Sequence, residues 1–321
     1  MRSFAVALAL SGLVACAPSI RPSEPGPVTA ERMAQFWEDV TPAGRGDLFL
    51  GVGGRRLQPD PDVVYESLGK DTGGFSVSYD VRDPSGLEWS VKIGEEAQSE
   101  VAASRLLWAM GYRQPPVYYL PEWRVREEGR VLREGGGRFR PKVSWLDNVG
   151  TWPWHRNPFV ATQAYRGLLA LMMFINSTDL KGENNALYER REDGRPVSRW
   201  YVVKDLGATF GTTGILSPKR NDIEEFEQHG FIDKVDEEGR VEFEYDGRHK
   251  ELLKNLTPAD VQWMAGRLAR LTDDQWGDIF RAGGYPPGLT RRYVATLKAK
   301  IAEARALPVA GARAAAEGGA R

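Results

Sequence analysis

Three short stretches of this chain carry polar groups beside apolar runs. The first is the glycine-rich turn Gly69-Lys70-Asp71-Thr72-Gly73-Gly74, followed by Lys92 in the run Trp89-Ser90-Val91-Lys92-Ile93 and then by Glu96 and Glu100. The second is Asp179-Leu180-Lys181-Gly182-Glu183-Asn184, directly after the apolar run Leu168-Leu169-Ala170-Leu171-Met172-Met173-Phe174. The third is Lys204-Asp205-Leu206-Gly207, directly after Trp200-Tyr201-Val202-Val203. Their order is the one phosphoryl transfer needs. A glycine-rich loop brings backbone amides to phosphates, a strand lysine offsets phosphate charge and needs a carboxylate to hold it, one Asp positions a hydroxyl, and an Asn with a second Asp holds a divalent cation.

Asp179-Leu180-Lys181-x-x-Asn184 has the spacing of the protein-kinase catalytic loop, Asp205-Leu206-Gly207 resembles the Asp-Phe-Gly motif, and Val91-Lys92-Ile93 is similar to the strand that carries the kinase lysine. Over about residues 60–215 the chain therefore resembles a divergent member of the protein-kinase-like superfamily. The resemblance implies an α+β, two-lobed fold with a β-rich N-lobe and a mainly helical C-lobe. It implies that Gly69, Gly73 and Gly74 cradle phosphates and that Lys92 pairs with them. Asp179 would be the catalytic base, Lys181 would neutralise the γ-phosphate, and Asn184 and Asp205 would bind Mg²⁺ or Mn²⁺, with ATP as co-substrate. Glu100 is the expected partner of Lys92; Glu96, one helical turn earlier on nearly the same face, competes for that role.

The departures are specific. Ser177-Thr178 stands where His-Arg precedes the catalytic Asp, no Ala-Pro-Glu follows Asp205, and the glycine turn reads G-x-x-x-G-G-F. This pattern is closer to atypical branches such as the HipA-type, spore-coat, secretory-pathway and phosphatidylinositol kinases. The acceptor, protein or small molecule, is not inherited from the resemblance. Two alternatives stand beside a phosphotransferase: a pseudokinase that binds or scaffolds, and an enzyme that uses the same groups for nucleotidylation.

These residues need elements to position them. Ser76-Val77-Ser78-Tyr79-Asp80-Val81 and Trp89-Ser90-Val91-Lys92-Ile93 alternate with period two around the turn Asp83-Pro84-Ser85-Gly86, which predicts a hairpin. Residues 95–110 lack Gly and Pro and end at Gly111, which predicts a helix with a C′ glycine. Residues 117–145 read as strands and turns. A buried helix is expected over 160–176, with short strands at 186–188 and 200–203. Thr257-Pro258 and Thr272 should cap two further helices, and a last amphipathic helix should run from 289 to about 304. The division is an N-lobe of about 60–150 and a C-lobe of about 151–306, within a domain of 31–306. Trp152-Pro153-Trp154-His155 is expected to be a packed loop bridging the lobes rather than a base platform. His155, His229 and His249 show no ligand spacing.

The N-terminus reads as an export signal. Arg2, an apolar stretch and Leu13-Val14-Ala15-Cys16 resemble a bacterial lipobox, with residues 1–15 removed and Cys16 lipidated. Residues 16–30 would be the lipidated Cys and a Pro-rich tether, and 307–321 a disordered tail. The expected location is the cell envelope, on the periplasmic face of the outer membrane, with the membrane reached through the lipid. Forty-three Lys and Arg against 44 Asp and Glu give a net charge of -1, so no nucleic-acid partner is expected. One Cys and three His exclude a disulfide and a Cys/His zinc site.

Overall fold

The computed structural model describes residues 20–24, 26–214 and 219–308. The signal segment, Cys16 and residues 309–321 lie outside the described residues.

Seven strands form the N-terminal sheet: β1 (Val64–Asp71), β2 (Ser78–Arg82), β3 (Glu88–Ile93), β4 (Tyr118–Leu120), β5 (Trp123–Glu127), β6 (Arg130–Glu134) and β7 (Gly137–Pro141). Their spatial order is β4-β7-β3-β2-β1-β5-β6, antiparallel except for β1 with β5. The predicted alternation sets the faces. Tyr79, Val81, Trp89 and Val91 are buried, and Ser90 and Lys92 point the other way. Trp123 packs edge-on against Tyr79 and Phe139, with ring centroids 5.6 and 5.2 Å apart, and closes the sheet's own core. β3 is an interior strand between β2 and β7, so Lys92 is not an edge lysine.

One helix, α1 (Glu96–Ala109), crosses this sheet. It ends where the sequence predicts: Gly111 has φ +103°, and a Cβ there would run into the Glu38 carbonyl. Nearly every residue of α1 is buried. Ala102, Leu106 and Leu107 belong to the large apolar core of the C-terminal half rather than to the core of the sheet.

Beyond Pro141 the chain enters the second lobe. Strand β8 (Leu146–Gly150) pairs with β9 (Asn185–Glu192), which pairs with β10 (Arg195–Val203). Residues 146–150 therefore belong to the C-lobe, and the passage between lobes falls at about 142–145 rather than at 150. The hairpin turn is Asp193-Gly194, both at positive φ, which lets β9 and β10 run longer than their apolar centres suggest. Helix α2 (Gln163–Phe174) starts later than predicted because the Thr162 hydroxyl accepts the Tyr165 amide at 3.2 Å and fixes its N-terminus. After the short helix α3 (Ile223–Gln228), three helices complete the lobe: α4 (Pro258–Leu268), α5 (Asp273–Ala282) and α6 (Pro287–Arg305). Thr257 and Thr272 form full capping boxes, as their sequence position predicts. The architecture is α+β in two lobes, the organisation expected of a kinase-like chain.

Residues 29–57 lie outside this plan. Phe36 stacks on Phe159 in the C-lobe at 4.6 Å, and the Trp37 indole donates to the Met110 carbonyl at 2.9 Å. Further on, the Arg105 guanidinium of α1 donates to the carbonyls of Leu50 and Val117 at 3.0 and 2.6 Å. The segment is a strap from the C-lobe core to the back of α1.

Candidate active site in the cleft between the lobes

Lys92 is the meeting point of the site. Its Nζ lies 2.8 Å from Asp205 Oδ1, 3.2 Å from Glu100 Oε2 and 3.3 Å from Glu96 Oε2. The Lys92–Asp205 contact joins residues 113 apart in sequence and crosses from one lobe to the other. Glu96 and Glu100 both reach Lys92, so the choice between them dissolves, and each has a further hold. Glu100 is fully buried and is gripped by Arg138 Nε at 3.0 Å and Arg140 Nη2 at 2.6 Å, both from β7. Glu96 accepts from Arg220 Nη1 at 2.6 Å and from Ser76 Oγ at 3.2 Å.

The electrostatics follow from this packing. Burial opposes the Glu100 carboxylate, yet Arg138, Lys92 and Arg140 outweigh it and hold the group at about 2. Burial likewise opposes the Lys92 ammonium, and Glu100 and Asp205 more than offset it, so the lysine stays charged well above neutral pH. Lys204 is the reverse case. Burial, with Arg140 and Arg138 nearby, pulls it down to about 8.

The Asp179 loop is built mainly from backbone. Asn184 Nδ2 donates to the Asp179 carbonyl at 2.9 Å, and the Asn184 carbonyl accepts the amides of Lys204 and Asp205 at 3.0 and 3.1 Å. Two of the predicted stretches are thereby locked side by side. Lys181 Nζ lies 2.9 Å from Asp179 Oδ2. Asp179 Oδ1 is buried without a hydrogen-bond donor among the described residues; Arg248 Nε stands off at 3.6 Å. Gly207 closes the arrangement: Ser99 Oγ donates to its carbonyl at 2.7 Å, and a Cβ on Gly207 would overlap the Glu96 side chain. Only glycine lets α1 approach this closely.

The glycine turn differs from expectation. β1 runs on to Asp71, so Gly69 sits inside the strand at a register shift opposite Asp80, not in the turn. Lys70 extends the strand by lying over the Tyr79 ring, 4.7 Å from its centroid. Gly73 and Gly74 do form the turn, where the Gly73 amide donates to Asp71 Oδ1 at 2.8 Å. Exposed Phe75 follows, with the Arg220 guanidinium 3.8 Å from its ring centroid.

Arg138, Arg140 and Arg220 are site residues that the sequence pattern does not single out, and Lys204, quoted there beside Asp205, is given no role by it. The alternation through Gly-Arg-Phe-Arg-Pro was the one available signal: Phe139 faces the sheet core and both arginines face Lys92. Arg140 and Lys204 also line a cavity of about 510 Å³ with Ser90, Leu146, Asn148 and Tyr188. That cavity lies at the passage between the lobes, with Lys142, Val143 and Ser144 in its wall. The Trp152–His155 segment is packed, as expected, but within the C-lobe. The Trp152 and Trp154 indoles donate to the carbonyls of Val202 and Lys181 at 3.0 and 3.2 Å.

No family model matches this chain, and no curated protein does. Among solved structures it is similar to the proinflammatory kinase CtkA of Helicobacter pylori, with 9% identity, a TM-score of 0.42, and coverage of 75% of this chain and 95% of that one.

Proposed function

We propose that this protein is a kinase-like phosphotransferase that binds ATP with Mg²⁺ or Mn²⁺ between its lobes and passes a phosphoryl group to a hydroxyl acceptor. The observation that carries the reading is the closure of Lys92 on Asp205, with the Asp205 and Asn184 segments locked by shared backbone hydrogen bonds. The proposed setting, from the sequence alone, is the cell envelope, reached through lipidated Cys16.

The donor set suits the cation. The Asp205 carboxylate is partly exposed and uses only Oδ1 on Lys92, and Asn184 uses Nδ2 on Asp179, so Asp205 Oδ2 and Asn184 Oδ1 remain as hard oxygen ligands. Bound there, the ion would neutralise charge on the phosphates. Lys92 binds phosphate oxygens while Glu100 keeps its ammonium placed. The amides of the Gly73-Gly74 turn add neutral donors. The cavity lined by Ser90, Tyr188 and Lys204 takes the base and sugar. Asp179 Oδ1, buried and without a donor among the described residues, accepts the hydroxyl proton as the acceptor oxygen bonds to phosphorus and the bond to the leaving nucleoside diphosphate breaks. Lys181 holds the other oxygen of Asp179 and turns that carboxylate toward the acceptor.

Nucleotide titration with and without Mg²⁺ tests the reading. Asp205→Asn should abolish metal-dependent binding. Asp179→Asn should leave affinity within twofold and lower turnover by about 10²–10⁴. A wild-type chain that binds no nucleotide, or turns none over across a screen of acceptors, is a scaffold on this fold and not an enzyme.

A further inference from the structure

His155 and His249 lie 94 positions apart, yet the fold sets their rings 5.2 Å apart, with Glu251 between them. One carboxylate oxygen, Glu251 Oε1, is 2.8 Å from His155 Nε2 and 2.9 Å from His249 Nδ1. The three ligand atoms all fall within 4.8 Å of one another, the one such group of His, Cys, Asp and Glu among the described residues. We propose that His155, His249 and Glu251 form a binding site for a divalent transition ion of the zinc class.

The ligand chemistry selects the ion. Two imidazoles and one carboxylate suit Zn²⁺ and its neighbours, whereas Mg²⁺ and Ca²⁺ prefer oxygen throughout. In the metal-free arrangement both ring nitrogens must carry protons to share one acceptor oxygen. A cation takes the place of those two protons and needs each nitrogen to stand only about half an ångström farther from the Glu251 oxygen, since tetrahedral ligands about 2.0–2.1 Å from zinc stand roughly 3.3 Å apart. The groups are part-buried, with side-chain exposures of 16%, 39% and 23%, so solvent can fill a fourth position. His249 is held at φ +59°, a left-handed conformation that a histidine adopts at a cost and that brings its ring back over residue 251.

The location gives the site its consequence. The Trp154 indole, next to His155, donates to the Lys181 carbonyl, and the Arg248 amide, next to His249, donates to the Thr178 carbonyl at 3.1 Å. The two segments that a metal would tie together are the ones that grip the 178–181 loop from either side. The ion would act as a staple behind that loop, separate from the cation proposed at Asn184 and Asp205.

The untagged full chain, stripped with chelator, is titrated with Zn²⁺ and with Co²⁺, following melting temperature, bound metal per chain and the Co²⁺ visible spectrum. The expected result is one ion per chain with a dissociation constant below about 1 µM and a melting point raised by about 5 °C at a hundredfold excess over that constant. The Co²⁺ bands should be those of a four- or five-coordinate nitrogen and oxygen site. His155→Ala and His249→Gln should each weaken binding by about a hundredfold or more, while His229→Gln, which removes none of the three ligands, should not change it. Metal binding that survives both cluster variants, or wild-type binding weaker than about 100 µM, overturns the proposal. If His155→Ala fails to fold, the His249→Gln variant decides, because its side chain is the most exposed of the three.

Discussion

Lys92 and Asp179 stand in one cleft and are held by opposite means. Around Lys92 the partners are side chains: Glu96 and Glu100 from α1, Asp205 from beyond β10, with Arg138 and Arg140 behind them. Around Asp179 only Lys181 pairs closely with the carboxylate among the described residues, and the loop itself is fixed through the main-chain carbonyls of Asp179 and Asn184. A buried charge cluster keeps its geometry only while every member is compensated. A backbone-held loop tolerates the loss of a side-chain charge. The two ends should therefore answer differently to the same kind of substitution.

The largest effect is expected at Glu100. Glu100→Gln removes the charge that three cations share in a fully buried site, and should cost about 3–5 kcal/mol in denaturant unfolding. Asp179→Asn should shift stability by less than about 0.5 kcal/mol in the same experiment. Equal losses in the two variants would erase the contrast. Acid sharpens it further. With its ordinary value at 4.5 and its folded value at about 2, Glu100 contributes stability that is complete above pH 4.5 and is lost as pH falls toward 2. The loss is ~3 kcal/mol, and Glu100→Gln should not show it.

Lys204 gives the next effect, of opposite sign. A lysine pulled down to about 8 from 10.5 holds its proton less tightly in the folded chain, so the penalty is complete below pH 8 and relaxes as pH rises toward 10.5. Nucleotide phosphates bound at Lys92 and Asp205, the residue next to Lys204, would favour its proton. Nucleotide binding at pH 9 should then take up roughly half a proton or more, measured by calorimetry in buffers of different ionisation heat, and Lys204→Met should take up almost none. Proton uptake equal in the two proteins would remove Lys204 from the nucleotide's surroundings.

A small effect is expected at the glycine turn. Phe75→Ala removes the ring under Arg220 and should cost under about 1 kcal/mol. It should nonetheless speed hydrogen exchange at Gly73 and Gly74 while leaving α1 unchanged.

The contrast also explains what the sequence makes legible. Lys92, Asp179, Asn184 and Asp205 lie within short local patterns, each next to an alternating strand or an apolar helix. The predicted alternation at 76–81 and 89–93 and the caps at Thr257 and Thr272 are likewise local, and the elements form there. Arg138 and Arg140 act through a strand pairing with β3 that no local pattern specifies. Gly69 reads as part of a turn because glycine breaks strands in general, while cross-strand contacts of Lys70 and Asp71 carry β1 past it. The 29–57 strap has no periodicity, because its anchors are single side chains in two different cores. His155 and His249 meet only when loops far apart in the chain are folded against one another.

The placement of α1 limits how such a molecule could be switched. In a cleft enzyme a helix that swings outward can carry the lysine's carboxylate partner away and silence the site. Here that swing would strip Leu106 and Leu107 from the C-lobe core and break Arg105 from the strap. Exposing those two leucines alone costs ~3–6 kcal/mol, a large share of the 5–15 kcal/mol that holds a typical domain together. The helix is thus a fixed wall instead of a lever. Its amides should exchange with solvent only through global opening, and any control of the cleft falls to the exposed turn and to Arg220.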